Sequence, residues 1–437
     1  MWTKLGAMPL ASGIVVSAPR SGSGKTVVTL GLLAALRRRG VVVAPAKSGP
    51  DYIDPAHLGR AALRDAVNLD AWAMRPERLR DLAVAQAVGA DLLVVEGAMG
   101  LFDAAADGQG STADVAETLG LPVLLVVDAD RQSQSVAPLV AGFAGWRPGV
   151  RIAGVILNRV SSAKHERMLV EAIAATGLPC IGAIPRNSDL VLPERHLGLV
   201  LPGEISSFDG FIDAAATAVG DYLDLDRILE LAMPLPPATP SRGLPPLGQH
   251  IAIAHDDAFA FLYPHLLDSW RAQGAQLSTF SPLRDEAPAG DADAVFLPGG
   301  YPELHGQVLA AAASFKAGLL AAQVRGALIY GECGGFMVLG EALVDKTGQS
   351  HAMAGLLPIT TRIDRPKRIL GYRRLVHDGS LPWPGHLNGH EFHYSSARQS
   401  RLPPLFAATD ALGQAMPPMG AVIGRVMGSY AHVIDAA

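Results

Sequence analysis

The chain is short of several things, and each shortage excludes something. It has two cysteines in 437 residues, Cys180 and Cys333, too few and too far apart for a disulfide framework. A reducing, cytoplasmic compartment is expected. Only 18% of residues are charged and the formal net charge is −5, which gives no general attraction to nucleic acid or to an anionic membrane. No apolar run is long and unbroken enough to span a bilayer. The mildly apolar stretch after Lys4 is interrupted by Gly6, Pro9 and Gly13 and runs into a strand, so it does not read as a cleaved signal. With 49% hydrophobic residues the chain can bury a large core, and its length suits two or three domains.

What is present begins with a strand feeding a glycine-rich loop. Gly13 to Ala18 reads as a buried strand, Pro19-Arg20-Ser21-Gly22-Ser23-Gly24-Lys25-Thr26 as the loop, and Val27 to Arg37 as a helix. Small residues let successive backbone N–H groups converge on phosphate oxygens at a helix N-terminus. Lys25 is expected to reach the outer phosphates and Thr26 to sit on Mg²⁺. Pro19 stands where the usual pattern has its first glycine.

Further β-branched runs follow, each closing in polar residues at its carboxyl end, where open α/β sheets bind ligands. Val41 to Ala46 leads into Lys47-Ser48-Gly49-Pro50-Asp51-Tyr52-Ile53-Asp54-Pro55. Asp91 to Val95 leads into Glu96-Gly97-Ala98-Met99-Gly100-Leu101-Phe102-Asp103. Glu96 occupies the place of a Mg²⁺-linked carboxylate opposite a phosphate loop, and Asp103 is a second candidate. Pro122 to Val127 closes in Asp128, Ile152 to Leu157 in Asn158-Arg159, and Cys180 to Ile184 in Pro185-Arg186. Asn158 is a candidate for contact with a nucleotide base, or a turn-forming residue. Cys180 reads as core. The alternation predicts a mostly parallel, doubly wound sheet. A helical pattern from Ser207 to Leu231 ends this half, and the Pro-rich 234–248 reads as a stiff linker between a domain at 1–233 and one at 249–437.

The second domain opens with a strand from Ile251 to His255, then Ala294 to Leu297, ending in Pro298-Gly299-Gly300-Tyr301-Pro302-Glu303. Ala327 to Tyr330 runs into Gly331-Glu332-Cys333-Gly334-Gly335 and a helix, Phe336 to Leu343. Strand, Gly-x-Cys-x-Gly, helix is a nucleophile elbow that exposes a thiol on a sharp turn. A helix N-terminus is expected to lower that thiol's pKa. N–H groups of Gly334 and of the Gly299-Gly300 turn are candidates for an oxyanion hole. His390, His393 and His432 are candidate bases. Ile434, on the strand face of His432, offers no carboxylate to orient the ring.

Together these residues resemble the corrinoid a,c-diamide synthases, the glutamine-hydrolysing cobyrinic or hydrogenobyrinic acid enzymes of cobalamin biosynthesis. The likeness covers nearly the whole chain. The first half is similar to dethiobiotin synthetase and carries a modified phosphate loop in which Pro19 is expected. The second half is similar to class I glutamine amidotransferases, in the branch shared with cobyric acid synthase. The likeness is carried in the first half by Ser17 to Thr26, Lys47 to Pro55 and Val95 to Asp103, and in the second by Leu297 to Glu303, Gly331 to Gly335, Gly389 to Ser395 and Gly428 to His432. Class I enzymes in general have a triad Glu after the His; this branch lacks it, and what orients His432 stays open.

The resemblance implies an α/β fold in both domains, a P-loop NTPase fold and then a flavodoxin-like amidotransferase fold. It implies that ATP activates a corrin carboxylate as an acyl phosphate. Ser21, Gly22, Ser23, Gly24, Lys25, Thr26, Lys47 and Asn158 would hold ATP, and Thr26, Glu96 and Asp103 would hold Mg²⁺. Asp51, Tyr52 and Asp54 would hold substrate, intermediate or ammonia. Cys333 and His432 would hydrolyse L-glutamine, and the ammonia would pass internally to the acyl phosphate. Arg362, Arg365, Lys367, Arg368, Arg373 and Arg374 could meet the other corrin carboxylates or form a solvated basic face. The Arg- and Ala-rich composition tilts the substrate slightly toward metal-free hydrogenobyrinic acid, and relatives of the first domain suggest a homodimer. The alternatives are the same chemistry on nickel-sirohydrochlorin, or a partition-type P-loop ATPase switch with a non-catalytic appended domain.

Overall fold

A computed structural model describes residues 11–437 other than 193, 196–197, 200–202, 204, 206, 366 and 398–401; the apolar stretch after Lys4, up to Pro9, lies outside the described residues. The chain divides into two compact units. The first holds residues up to 104 with 108–241, and the second holds 105–107 with 242–437. Among the described residues no helix is long and apolar enough to cross a membrane.

The first unit alternates strand and helix as its hydrophobic runs require. Its elements are β1 (Ser12–Ser17), α1 (Lys25–Arg38), β2 (Val43–Ser48), α2 (Ile53–Ala62), β3 (Val67–Leu69), α3 (Pro76–Gln86), β4 (Leu92–Glu96), α4 (Thr112–Leu119), β5 (Val123–Asp128), α5 (Val136–Trp146), β6 (Ile152–Val160), α6 (Ala163–Ala174) and β7 (Cys180–Pro185). A two-residue hairpin, β8 (Glu194–Arg195) and β9 (Gly198–Leu199), precedes α7 (Phe208–Tyr222), α8 (Leu225–Leu231) and β10 (Met233–Pro234). The sheet order is β3-β2-β4-β1-β5-β6-β7, parallel throughout, with β10 antiparallel on β1. Strands β1 and β4 are buried almost throughout, which is why they read as apolar runs, whereas β2 starts at Val43 and not Val41 and carries Lys47 and Ser48, expected in the loop, as its last buried residues. Helix α1 lies against α7 so closely that a Cβ at Gly31 would sit 2.6 Å from the Ala215 carbonyl oxygen.

Two expectations change here. The 207–231 pattern is two helices, because Leu223 takes an extended conformation and Asp224 caps α8 by accepting the Arg227 N–H at 2.9 Å. The Pro-rich stretch is not wholly outside the sheet. Pro234 pairs with Ser12, Leu235 donates to the Ala11 carbonyl at 3.0 Å, and Leu235, Leu244 and Leu247 are buried. Proline is tolerated because β10 is a two-residue antiparallel addition beside the start of β1, where a missing donor costs little.

The second unit has β11 (His250–Ala254), α9 (Pro264–Ala272), β12 (Gln276–Phe280), β13 (Ala294–Leu297), α10 (Gly306–Ala311), α11 (Ala313–Val324), β14 (Leu328–Glu332), α12 (Gly334–Leu339), β15 (Ala342–Val344), β16 (Ser350–Ala352), β17 (Thr360–Arg362), β18 (Ile369–Val376), β19 (His386–His393), β20 (Ser396–Ala397), β21 (Ala407–Asp410), β22 (Ala421–Ile423), β23 (Val426–Ser429) and β24 (Ala431–Ala436). Its main sheet runs β12-β11-β13-β14-β23-β22, parallel except for the β22–β23 edge. Two four-stranded sheets, β16-β15-β17-β20 and β21-β18-β19-β24, accompany it. The helix expected from Phe336 to Leu343 stops at Leu339. Gly340 is extended there, and Ala342 to Val344 continues as a strand.

Candidate active sites

The first unit's site lies at the carboxyl end of β1, where the order of connections reverses. Gly22 (φ 78°) and Gly24 (φ 85°) turn the loop through left-handed backbone that other residues rarely adopt. Asn158 braces the loop from behind: its Nδ2 donates to the Ser23 carbonyl at 3.0 Å, and its Oδ1 accepts the Arg159 N–H at 3.0 Å. A side chain at Gly24 would collide with that Nδ2 at 2.1 Å. Asn158 therefore holds the phosphate loop, and its amide lines a neighbouring cavity of about 380 Å³ with Arg159, Arg186 and Asn187.

Five charged residues and Thr26 converge on one point. The Thr26 hydroxyl donates to Glu96 Oε1 at 2.7 Å. Lys47, wholly buried, donates to the same oxygen at 2.9 Å, to the Gly97 carbonyl at 3.3 Å and to Asp54. Lys25 Nζ lies 3.6 Å from Glu96 Oε1. Asp51 Oδ1 accepts the N–H groups of Ile53 (2.8 Å) and Asp54 (3.2 Å), capping α2. Tyr52 sits in the turn that starts that helix. Ser21, Gly22, Gly24, Lys25, Thr26, Lys47, Asp51 and Asp54 line a cavity of about 450 Å³.

The electrostatics follow from crowding. Burial, then Lys47 beside it, holds Lys25 below the usual amine range, so the site favours an arriving anion. Burial pulls Lys47 down too, but Asp54 and Glu96 outweigh it and raise its pKa. Burial and Asp54 push Asp51 up to about 6. Burial also opposes ionisation of Asp54, but Lys47 and Lys25 overcome it and depress its pKa.

Glu96 Oε2 is buried with no hydrogen-bond partner among the described residues, next to the Thr26 hydroxyl. An orphaned carboxylate oxygen beside a hydroxyl suits a hard cation that draws its remaining ligands from phosphate and water. Asp103 is exposed and outside this cavity; its carboxylate accepts the Gly100 N–H at 2.7 Å and so closes the loop after Glu96.

In the second unit Cys333 occupies the elbow between β14 and α12 with φ 46° and ψ −104°, a strained conformation for a residue with a side chain. Its N–H donates to the Ser429 carbonyl at 2.8 Å, and Gly335 N–H to the Pro298 carbonyl at 3.0 Å. The three predicted oxyanion glycines are packed together. A Cβ at Gly334 would lie 3.0 Å from Gly300 N, and one at Gly299 would lie 2.2 Å from His432 Cε1. His432, on β24, is buried and pairs across the sheet with His390 on β19.

The expectation of a lowered thiol pKa is corrected. Burial, and then the Glu303 carboxylate, push the Cys333 thiol up, and a six-residue helix does not offset them. Burial holds His432 near 3, so its imidazole is neutral at rest. His393 is committed elsewhere: it contacts Glu391 Oε1 and the Ser395 carbonyl and stacks on Tyr430 at 3.9 Å. Burial and Arg373 hold His390 down to about 4.

Sequence reasoning gives no role to Glu332, Glu303 or Glu391, and treats Arg373 as a candidate corrin contact and His393 as a candidate base where the structure pairs both with Glu391. Glu332 had a signal available, a carboxylate inside an otherwise apolar strand directly before the thiol. The Arg20–Asp128–Arg159 cluster over the phosphate loop, at 3.2 and 2.8 Å, was signalled by Asp128 and Arg159 closing adjacent strands.

A phosphate loop facing a lysine–carboxylate cluster in one unit, with a buried Cys–His pair on an elbow in the other, defines a nucleotide-binding domain joined to a glutamine amidotransferase domain. Residues 14–200 match the CobQ/CobB/MinD/ParA nucleotide binding domain, and residues 250–437 match the CobB/CobQ-like glutamine amidotransferase domain. The chain is 52% identical over 433 residues to a hydrogenobyrinate a,c-diamide synthase of Brucella abortus biovar 1 (strain 9-941), covering 97% of this chain and 98% of that one. It is 48% identical to one of Rhodobacter capsulatus, over 433 residues with the same coverage. The chain belongs to the hydrogenobyrinate a,c-diamide synthase family.

Proposed function

We propose that the chain amidates the a and c carboxylates of hydrogenobyrinic acid, using ATP and L-glutamine, in cobalamin biosynthesis. The observation that carries this reading is the convergence of Lys25, Lys47, Asp51, Asp54 and Glu96 on one cavity beside the phosphate loop. A nucleotide switch has little use for two buried lysines and three acids there, whereas transfer of a phosphoryl group to a carboxylate does. The names of the relatives support the metal-free corrin over cobyrinic acid.

In this reading the loop backbone from Ser21 to Thr26 cradles the triphosphate. Lys25 and Lys47 stabilise charge on the transferring group as a substrate carboxylate oxygen attacks the γ-phosphorus and ADP leaves. Thr26 and Glu96 would hold Mg²⁺, which when bound neutralises phosphate charge; Asp103 shapes the loop that presents Glu96. Ammonia attacks the acyl phosphate carbon, and Asp51, with its pKa near 6, takes the proton released as phosphate departs. Asp54 stays ionised and fixes Lys47; Tyr52 and the turn around it meet the substrate.

In the second unit neutral His432 accepts the thiol proton as Cys333 Sγ attacks the glutamine amide carbon. N–H groups of Gly334 and of the Gly299-Gly300 turn stabilise the oxyanion. His432 returns the proton to the leaving ammonia, and water then hydrolyses the thioester to glutamate. Both cysteines carry free thiols, which suits a reducing, cytoplasmic setting.

The test separates the two sites. Cys333→Ala should abolish glutamine-dependent amidation of hydrogenobyrinic acid and leave ammonia-dependent amidation within about twofold; Lys25→Ala should lower both by about 100-fold or more. Equal loss with both donors in Cys333→Ala would refute the division of labour.

A further inference from the structure

Proton transfer from the thiol requires His432 to present a bare Nε2, and therefore to carry its own proton on Nδ1. Something must hold that tautomer. On the strand bearing His432, Ile434 is apolar and buried, and a bulge opposite Asn388 and Gly389 returns Asp435 to the face of His432, where its Oδ1 accepts the Ala436 N–H at 2.8 Å. Across the sheet His390 pairs with His432, His393 acts on it only through charge, and Phe261 packs 6.3 Å away between ring centroids. Glu391 is engaged by Arg373 and His393, each at 2.8 Å.

One carboxylate approaches from a different sheet. Glu332 Oε2 lies 3.8 Å from His432 Nδ1, with both side chains almost fully buried. That spacing exceeds a hydrogen bond and falls within ion-pair range. The carboxylate is anchored by its other oxygen: Oε1 accepts the Tyr330 hydroxyl at 2.9 Å and the N–H of Val433, the residue after His432, at 3.0 Å. One group thus grips both the nucleophile's strand and the histidine's strand.

We infer that Glu332 is the positioning residue of the Cys333–His432 pair, doing from the residue before the thiol what class I enzymes do from two places after the histidine. The anchored Oε1 leaves Oε2 facing Nδ1, where it fixes the productive tautomer and stabilises the imidazolium once Sγ has given up its proton to Nε2. A purely structural carboxylate is a poor explanation. Both of its hydrogen bonds go to one oxygen, and a glutamine would accept them equally well; the other oxygen is left facing His432 Nδ1.

The inference rests on the glutaminase reading of Cys333, and the experiment distinguishes the two. In the full chain, Glu332→Gln keeps the volume and the anchored oxygen but turns an amide donor toward Nδ1, favouring the wrong tautomer. Glutaminase kcat should fall about 100- to 10,000-fold, with KM for glutamine within about threefold, and with melting temperature and ammonia-dependent amidation unchanged. A kcat within threefold of the parent, or a loss expressed in KM or in melting temperature, would overturn the role. If that variant does not fold, Tyr330→Phe removes one anchor alone and should lower kcat about three- to tenfold at unchanged KM; no change in kcat overturns the inference. Glutaminase activity surviving in Cys333→Ala would refute the underlying reading instead, whereas an inactive Cys333→Ala beside a fully active Glu332→Gln refutes Glu332 alone.

Discussion

Asp51 should cost the first unit stability at neutral pH, and replacing it should make the protein firmer and less active. Its carboxylate is burdened by burial and by Asp54, and Lys47 only partly compensates, so its pKa stands near 6 against an ordinary 3.8. At 1.36 kcal/mol per pKa unit this corresponds to about 3 kcal/mol, or about 2 kcal/mol after allowing for its opening onto the cavity. A carboxyl with a raised folded pKa penalises the folded state at every pH above that value. The penalty shrinks as pH falls through about 6 and is gone below the unfolded value near 4. Asp51→Asn retains an Oδ1 to cap α2 through the Ile53 and Asp54 N–H groups, so the perturbation isolates charge. At pH 8 the first unit of D51N should melt about 4–8 °C above the parent, with the gap closing toward pH 4, while ammonia-dependent amidation falls about 100-fold. Differential scanning calorimetry across pH 4–8 gives the comparison. A variant no more stable than the parent at pH 8, or a gap that ignores pH, would refute the electrostatic account.

Lys47→Met should both inactivate the first site and destabilise its unit by about 3–5 kcal/mol, since Asp54 and Glu96 lose the cation they were buried against; urea unfolding measures this. Asn158→Ala should raise KM for ATP about tenfold and lower stability by about 1–3 kcal/mol, because the Ser23 carbonyl loses its donor; glutamine hydrolysis at Cys333 serves as the control. Alkylation of Cys333 by iodoacetamide should still be accelerating above pH 9, the ordinary thiol value, rather than levelling off below it.

Legibility from the sequence followed burial. Strands β1, β4, β5 and β13 were readable because each is buried on both faces and so appears as an apolar run ending in a polar cluster, while the end of β2 was misplaced because Lys47 and Ser48 are buried strand residues. The sheet around β18 and β19 was not, because its burial is mixed and its residues, such as Arg373 and Glu391, look like surface charge until paired. Local motifs likewise placed Lys25, Thr26 and Cys333, whose roles depend on turns written into adjacent residues. Asn158 and Glu332 are different. Each acts on a partner more than a hundred positions along the chain, 135 in one case and 101 in the other for the Val433 contact, and only the sheet order brings them together. The thiol's pKa was misread for the same reason: a helix terminus is local, but Glu303 and the burial that outweighs it are products of the fold.

The two sites solve opposite electrostatic problems. The first keeps its charges by pairing them, so that an incoming triphosphate meets cations already held in place and little reorganisation remains at the moment of transfer. The second keeps its groups neutral: burial raises the thiol and lowers the imidazole, so both favour their uncharged forms in the resting enzyme. In the mechanism proposed above, the proton then moves from Cys333 to His432 as the C–S bond forms. Charge then appears on the glutamine oxygen beside the Gly299-Gly300 and Gly334 backbone and on His432 beside Glu332 at the same time.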